Sequence, residues 1–82
     1  MYQLTKVVND ELVFTSRESQ NIKEIEHVLK VLALNEKPIE ITDKSGYLVD
    51  IARKVVIWSP GDRGVTFKNE KDNTVTLKIN II

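Results

Sequence analysis

No cysteine occurs among the 82 residues, which excludes a disulfide framework, a thiolate nucleophile and a zinc site built on thiolates. Stability must then come from packing or association. A chain of this length typically holds only about 4–12 kcal/mol, so burial of an oligomer interface is a natural supplement. Histidine occurs once, at His27, and every nucleophile-base or multi-histidine metal scheme would have to pass through it. Its helical neighbours Lys23, Glu24, Lys30 and Val31 include no hydroxyl to activate, and a solvated flank position is the plainer reading. Glycine is also scarce. Gly61-Asp62-Arg63-Gly64 matches neither the P-loop nor the dinucleotide fingerprint, and no helix follows to offer its N-terminus to a phosphate. Long apolar runs are missing too, and the opening MYQLTKVVNDEL has neither the charged start nor the apolar core of a signal peptide. No membrane association and a cytoplasmic location are expected.

What is present is ordinary globular composition, with 41% hydrophobic and 29% charged residues. Residues 1–82 are expected to form a single compact domain, because a second core would leave each half too small to stand alone. The net charge is zero but unevenly spread. Up to Asp43 there are five Lys or Arg against eight Asp or Glu, and from Lys44 onward seven against four, so the two parts carry −3 and +3. That balance argues against a general electrostatic attraction to nucleic acid or membranes and leaves room for a local basic face in the second half. Nine lysines against three arginines, with nine isoleucines and six asparagines, fit an AT-rich bacterial or bacteriophage origin. In the latter case a host factor would be the expected partner.

Only one stretch, Arg17 to Leu34, has helical periodicity. Ile22, Ile25, Leu29 and Leu32 recur three, four and three apart, and Val28 and Val31 widen the stripe enough for the helix to lie on a sheet. Thr15-Ser16-Arg17-Glu18 matches a capping box that would start it, with Ser19 and Asn21 as later starts. Pro38 ends it and pushes Lys37 out of the helical region. Two strands precede the helix, Tyr2 to Val8 and Glu11 to Thr15, joined by a tight Asn9-Asp10 turn. Tyr2, Leu4 and Val8 share one face, Leu12 and Phe14 another, and Val7 interrupts the alternation. After Pro38 the period is two. Ile39 and Ile41 lead to turn chemistry at Asp43-Lys44-Ser45-Gly46, then a long run from Tyr47 to Trp58 with a bulge or break expected near Ala52 to Lys54. Ser59 to Gly64 reads as the longest and most mobile loop. Val65 to Lys68 and Thr74 to Ile81 make the last hairpin. The expectation is an α+β domain, a single helix packed on one face of a mostly antiparallel sheet, in the order β-β-α-β-β-β-β.

No converging pair of carboxylates is evident. Glu24 and Glu26 diverge on a helix, while Asp43, Asp62, Glu70 and Asp72 lie at expected turns. Asp50 alone sits inside an apolar strand, where it could pair with Arg53 or Lys54, terminate a strand, or line a site, the structural readings being the plainer ones. Asp62, Glu70 and Asp72 lack calcium-loop spacing. Neither metal, cofactor nor enzymatic activity is therefore expected. Tyr47, Arg53, Lys54, Trp58 and Arg63, with Phe67 and Lys68 nearby, combine aromatic and cationic residues in the way a partner-binding surface needs. The same residues could stack on bases and meet phosphates of single-stranded nucleic acid, although the spacing matches no RNA-binding signature and Phe67 reads more easily as core. Thr74 to Ile82 is β-branched, nearly uncharged and ends in Ile-Ile. It must be central, covered, or paired across a homo-oligomer interface through a sheet edge. These readings converge on a small non-enzymatic binding protein that contacts a protein partner, with a nucleic-acid-binding domain as the alternative.

Overall fold

A computed structural model describes the backbone at residues 1–45, 47–50, 55–58 and 64–82, and the side chains at 1–40 and 64–82. The elements follow in the order β1 (Tyr2–Val8), β2 (Glu11–Thr15), α1 (Ile22–Asn35), β3 (Pro38–Ser45), β4 (Tyr47–Asp50), β5 (Val55–Trp58), β6 (Gly64–Asn69) and β7 (Thr74–Ile81). Five strands form one sheet in the spatial order β2-β1-β7-β6-β3, with every neighbouring pair antiparallel. This is the expected α+β class. The strand C-terminal in sequence is the middle of the sheet, paired in unbroken register from Tyr2↔Ile81 to Val8↔Val75 on one side and with β6 on the other. Its nearly uncharged, β-branched character is thereby accounted for inside the chain, by the first of the three alternatives named above.

Alternation decides which side chains become the core. Along β7, Val75, Leu77 and Ile79 are buried, and along β6, Val65 and Phe67, while the residues between them keep some exposure. They meet Leu4 of β1 and the helical stripe Ile25, Leu29 and Ala33, with Tyr2, Val8, Val28 and Leu32 at the margin. The helix lies across β1 and β7 and carries the chain from the β2 edge to the β3 edge. Its stripe is rotated from the expected one: Ala33 enters the core and Val31 stays exposed, because the sheet surface under the last turn is met by the residue eight after Ile25.

The helix also starts later than the Thr15-Ser16-Arg17-Glu18 box predicts. Thr15 ends β2, and the Ser16 N–H donates to the Leu4 carbonyl at 2.8 Å while the Ser16 hydroxyl accepts from the Leu4 amide at 2.8 Å. Ser19 and Tyr2 exchange backbone bonds of 2.8 and 2.9 Å. Residues 16–19 therefore serve the free edge of β1, where the need for partners outweighs helix initiation. Asn21 becomes the cap, its Oδ1 accepting the Lys23 N–H at 3.0 Å. At the other end the expected limit holds: Lys37 adopts a φ of 53°, outside the right-handed helical region, immediately before Pro38.

Four further expectations are corrected. Asp43 to Ser45 continue β3 instead of forming a turn, because Asp43, Lys44 and Ser45 find ladder partners in Thr66, Val65 and Gly64. The run Tyr47 to Trp58 holds two strands, paired antiparallel with Asp50 opposite Val55, which makes seven strands among the described residues where six were expected. The expected bulge near Ala52 to Lys54 and residues 59–63 of the loop expected at Ser59 to Gly64 lie outside the described residues, while Gly64 opens β6 opposite Ser45 and Lys78 instead of ending that loop. Finally, Leu12 and Phe14 do not share a face. The β1–β2 register shifts between Lys6 and Val7, pairing Phe14 with Lys6 and Leu12 with Val7, so that Val13 is an inserted residue. The bulge lies where Val7 interrupts the alternation. The Asn9-Asp10 turn itself has φ of 49° and 68°, the left-handed pair of the tight hairpin turn its residue types predict.

Candidate protein-interaction surface

Every residue of β2 is exposed. Among them Leu12, Val13 and Phe14 retain 59%, 53% and 40% of their surface, three consecutive apolar side chains on a strand that, among the described residues, has a neighbour on one side only. Single exposed apolar residues such as Val31 and Ile39 are ordinary; a contiguous run on an open edge is not. The bulge distributes the three over both faces. Lys6 has the strand parity of Leu4, so its partner Phe14 stands on the helix side, where it lines a groove of about 470 Å³ with Ser16, Arg17, Ile25 and Val28. Leu12 stands opposite Val7 on the other face.

That other face is polar and internally bonded. The Thr66 and Thr76 hydroxyl oxygens lie 3.0 Å apart, and Asn80 Nδ2 donates to Thr5 Oγ1 at 3.2 Å. A second apolar group, Met1, Ile81 and Ile82, lies where the ends of β1 and β7 meet, with the Ile82 amide donating to the Met1 carbonyl at 2.9 Å. It lacks the open ladder that β2 offers along its outer side.

A polar junction holds the sheet and helix together behind this edge. Glu36 caps the helix C-terminus, ion-pairs with Lys6 and accepts from Asn69 Nδ2 at 3.0 Å. Asn69 is 3% exposed, and its Oδ1 accepts the Lys71 and Asn73 amides at 3.0 Å each, which shapes the β6–β7 turn. The Lys6 hydrogen bond, helped by Asn69 and the charges of Lys6 and Lys71, holds the Glu36 carboxyl below its ordinary value against the opposing effect of burial. Both Glu36 carboxylate oxygens and Asn69 Oδ1 have internal partners, which makes the junction structural. Sequence reasoning missed it, because Lys6, Glu36 and Asn69 are thirty or more residues apart.

Of the residues expected to bind a partner, Tyr47 and Trp58 are brought together as direct partners at one end of the β4–β5 ribbon. Arg53, Lys54 and Arg63 lie outside the described residues. Phe67 is wholly buried core, as its easier reading had it, and His27 is exposed beside Lys23, Glu26 and Lys30. Among the described residues no group of three metal-ligating side chains converges, and no helix is long and apolar enough to cross a membrane. The β2 surface itself went unread. Its signal is Val13: an apolar residue on the opposite parity from Leu12 and Phe14 leaves a short strand with two apolar faces and one helix to cover them. Comparison with known proteins returns no matching family model, no similar curated protein and no similar solved structure.

Proposed function

We propose that this chain is a small non-enzymatic binding protein whose task is to contact a partner macromolecule, a protein in the first place, and that it associates through a sheet edge. The observation that carries this reading is the exposed apolar strand β2. An edge of this kind offers backbone donors and acceptors for affinity and flanking side chains for specificity, which is how strand addition recognises extended segments. Affinity capture from a bacterial lysate tests it, run with and without nuclease on the wild-type chain and on Phe14→Lys. A protein band that survives nuclease and is lost with Phe14→Lys is the expected result. Loss of all binding on nuclease treatment overturns it.

One observation favours a second reading. The pairing of Tyr47 with Trp58 supports a stacking platform for single-stranded nucleic acid, close in sequence to Arg53, Lys54 and Arg63. It predicts salt-dependent quenching of the single tryptophan by oligonucleotides. Fluorescence unchanged at low salt removes this alternative.

A further inference from the structure

We infer that the occupant of the β2 edge is a second copy of this chain, paired antiparallel about a two-fold axis between Val13 and Phe14, so that two five-stranded sheets continue as one of ten strands. The inference rests on the reading of β2 as a contact surface and names its partner. Its first support is the pattern of faces along the strand. Phe14, opposite Lys6, belongs to the helix side with Glu11, whose partner is the core-facing Val8; Val13 is inserted between Leu12 and Phe14 with no partner of its own, and is taken with Phe14 as the pair of bulge residues opposite Lys6, on the helix side. Leu12 and Thr15, opposite Val7 and Thr5, belong to the other side. In a continuous sheet, residues directly opposite one another must share a face. An axis between Val13 and Phe14 satisfies this: Val13 meets Phe14 of the second copy on the helix side, and Leu12 meets Thr15 on the other. An axis through Val13 sets Leu12 against Phe14 across opposite faces. An axis through Leu12 matches faces but lays Glu11 against Val13 and the turn residue Asp10 against Phe14, an acid on an apolar side chain each time.

Charge is the second support. In this arrangement Glu11 and Asp10 of one copy come against Ser16 and Arg17 of the other, and Glu18 against Asn9; the axis repeats each contact. Parallel pairing would instead stack acid on acid, which sheets disfavour. Because Leu12, Val13 and Phe14 all lie inside the paired stretch, the arrangement covers the exposed apolar run on both faces at once.

Sedimentation equilibrium over a range from micromolar to about millimolar, with hydrogen exchange at the amides of residues 11–15, tests this. The expected result is a dimer whose amides in that stretch exchange at least tenfold more slowly on concentration, with association weakened at least tenfold by Val13→Lys and unchanged by Ile39→Lys on the opposite edge. The absence of native cysteine permits a direct reading of register. An oxidised equimolar mixture of Leu12→Cys and Thr15→Cys chains should give the mixed disulfide, whereas Leu12→Cys alone should stay unlinked. A monomer throughout the range, a dimer indifferent to Val13→Lys, an open-ended polymer, or a ready Leu12→Cys homodisulfide each overturns the inference. Should Val13→Lys fail to fold, concentration-dependent exchange in the wild type decides alone. A monomer that still captures a protein through β2 overturns self-pairing and leaves the binding function standing; a dimer that captures nothing does the reverse.

Discussion

The two edges of the sheet are built to opposite specifications. β3 begins at a buried proline that has no N–H to offer, sets Glu40 opposite Lys68, carries Asp43 and Lys44, and is irregular at two points along its pairing with β6. Proline, charge and bulges are the devices by which sheet proteins close an edge to other strands. β2 has a single bulge and otherwise shows solvent Leu12, Val13 and Phe14. One edge is closed and the other left open, and the difference has a consequence for assembly: a contact that uses the same edge on both copies is complete at two, whereas two open edges would propagate into a fibre.

The contrast can be broken from several directions. The largest effect is expected from comparing one residue type at the centre and the rim: Leu77→Ala, in the fully buried middle of β7, should lower unfolding free energy by about 2–5 kcal/mol. Leu12→Ala on β2 should stay within about 0.5 kcal/mol in urea titrations below the association range. Next comes the junction that ties the helix to β1 and the β6–β7 turn. Glu36→Gln leaves Lys6 without its charged partner and should destabilise by about 1–3 kcal/mol at neutral pH. Because folding depresses the Glu36 carboxyl, its contribution is complete above the ordinary value of 4.5 and disappears as pH falls through the lower folded-state value. The gap between wild type and Glu36→Gln should therefore close on acidification below pH 4.5, and a gap that widens there contradicts the assignment.

A smaller effect is expected at the turn that anchors β2. Asn9 has a left-handed φ of 49°, accepts the Thr74 amide on Oδ1 at 2.9 Å and donates to Asn73 Oδ1 at 2.9 Å. Asn9→Ala should lose about 1–2 kcal/mol and speed exchange of the β2 amides before those of β7. Equal acceleration in both strands would show that β2 does not loosen independently. Smallest of all is the change at the closed edge. Glu40→Val should leave sedimentation unaltered, since Pro38 and the two irregularities remain; new association there would mean that charge alone had kept β3 shut.

The parts of the fold legible in the sequence are those set by neighbours along the chain. Thr74 to Ile81 alternates without interruption and is a strand with the expected bounds; Asn9-Asp10 makes the tight turn its residue types favour; Pro38 limits the helix where its missing N–H requires. The candidate surface was less legible. Aromatic and cationic residues drew attention to Tyr47 and Trp58, whereas the exposed run lies at Leu12 to Phe14, whose composition resembles any half-buried strand. Whether such a strand is core or rim depends on how many neighbours it has, and that count is not a local property.

Local chemistry by itself therefore determined the helix, the hairpin turns, the alternation and the absence of cysteine chemistry, because each follows from backbone preference and side-chain period within a few residues. Tertiary structure alone decided that β7 sits between β1 and β6, that Ser16 and Ser19 serve a strand edge instead of starting a helix, and that Lys6, Glu36 and Asn69 meet. It also left Leu12, Val13 and Phe14 in solvent. Those outcomes come from competition among distant segments for the same hydrogen-bonding edges and the same apolar surface, and a competition of that kind is settled only when the whole chain is folded.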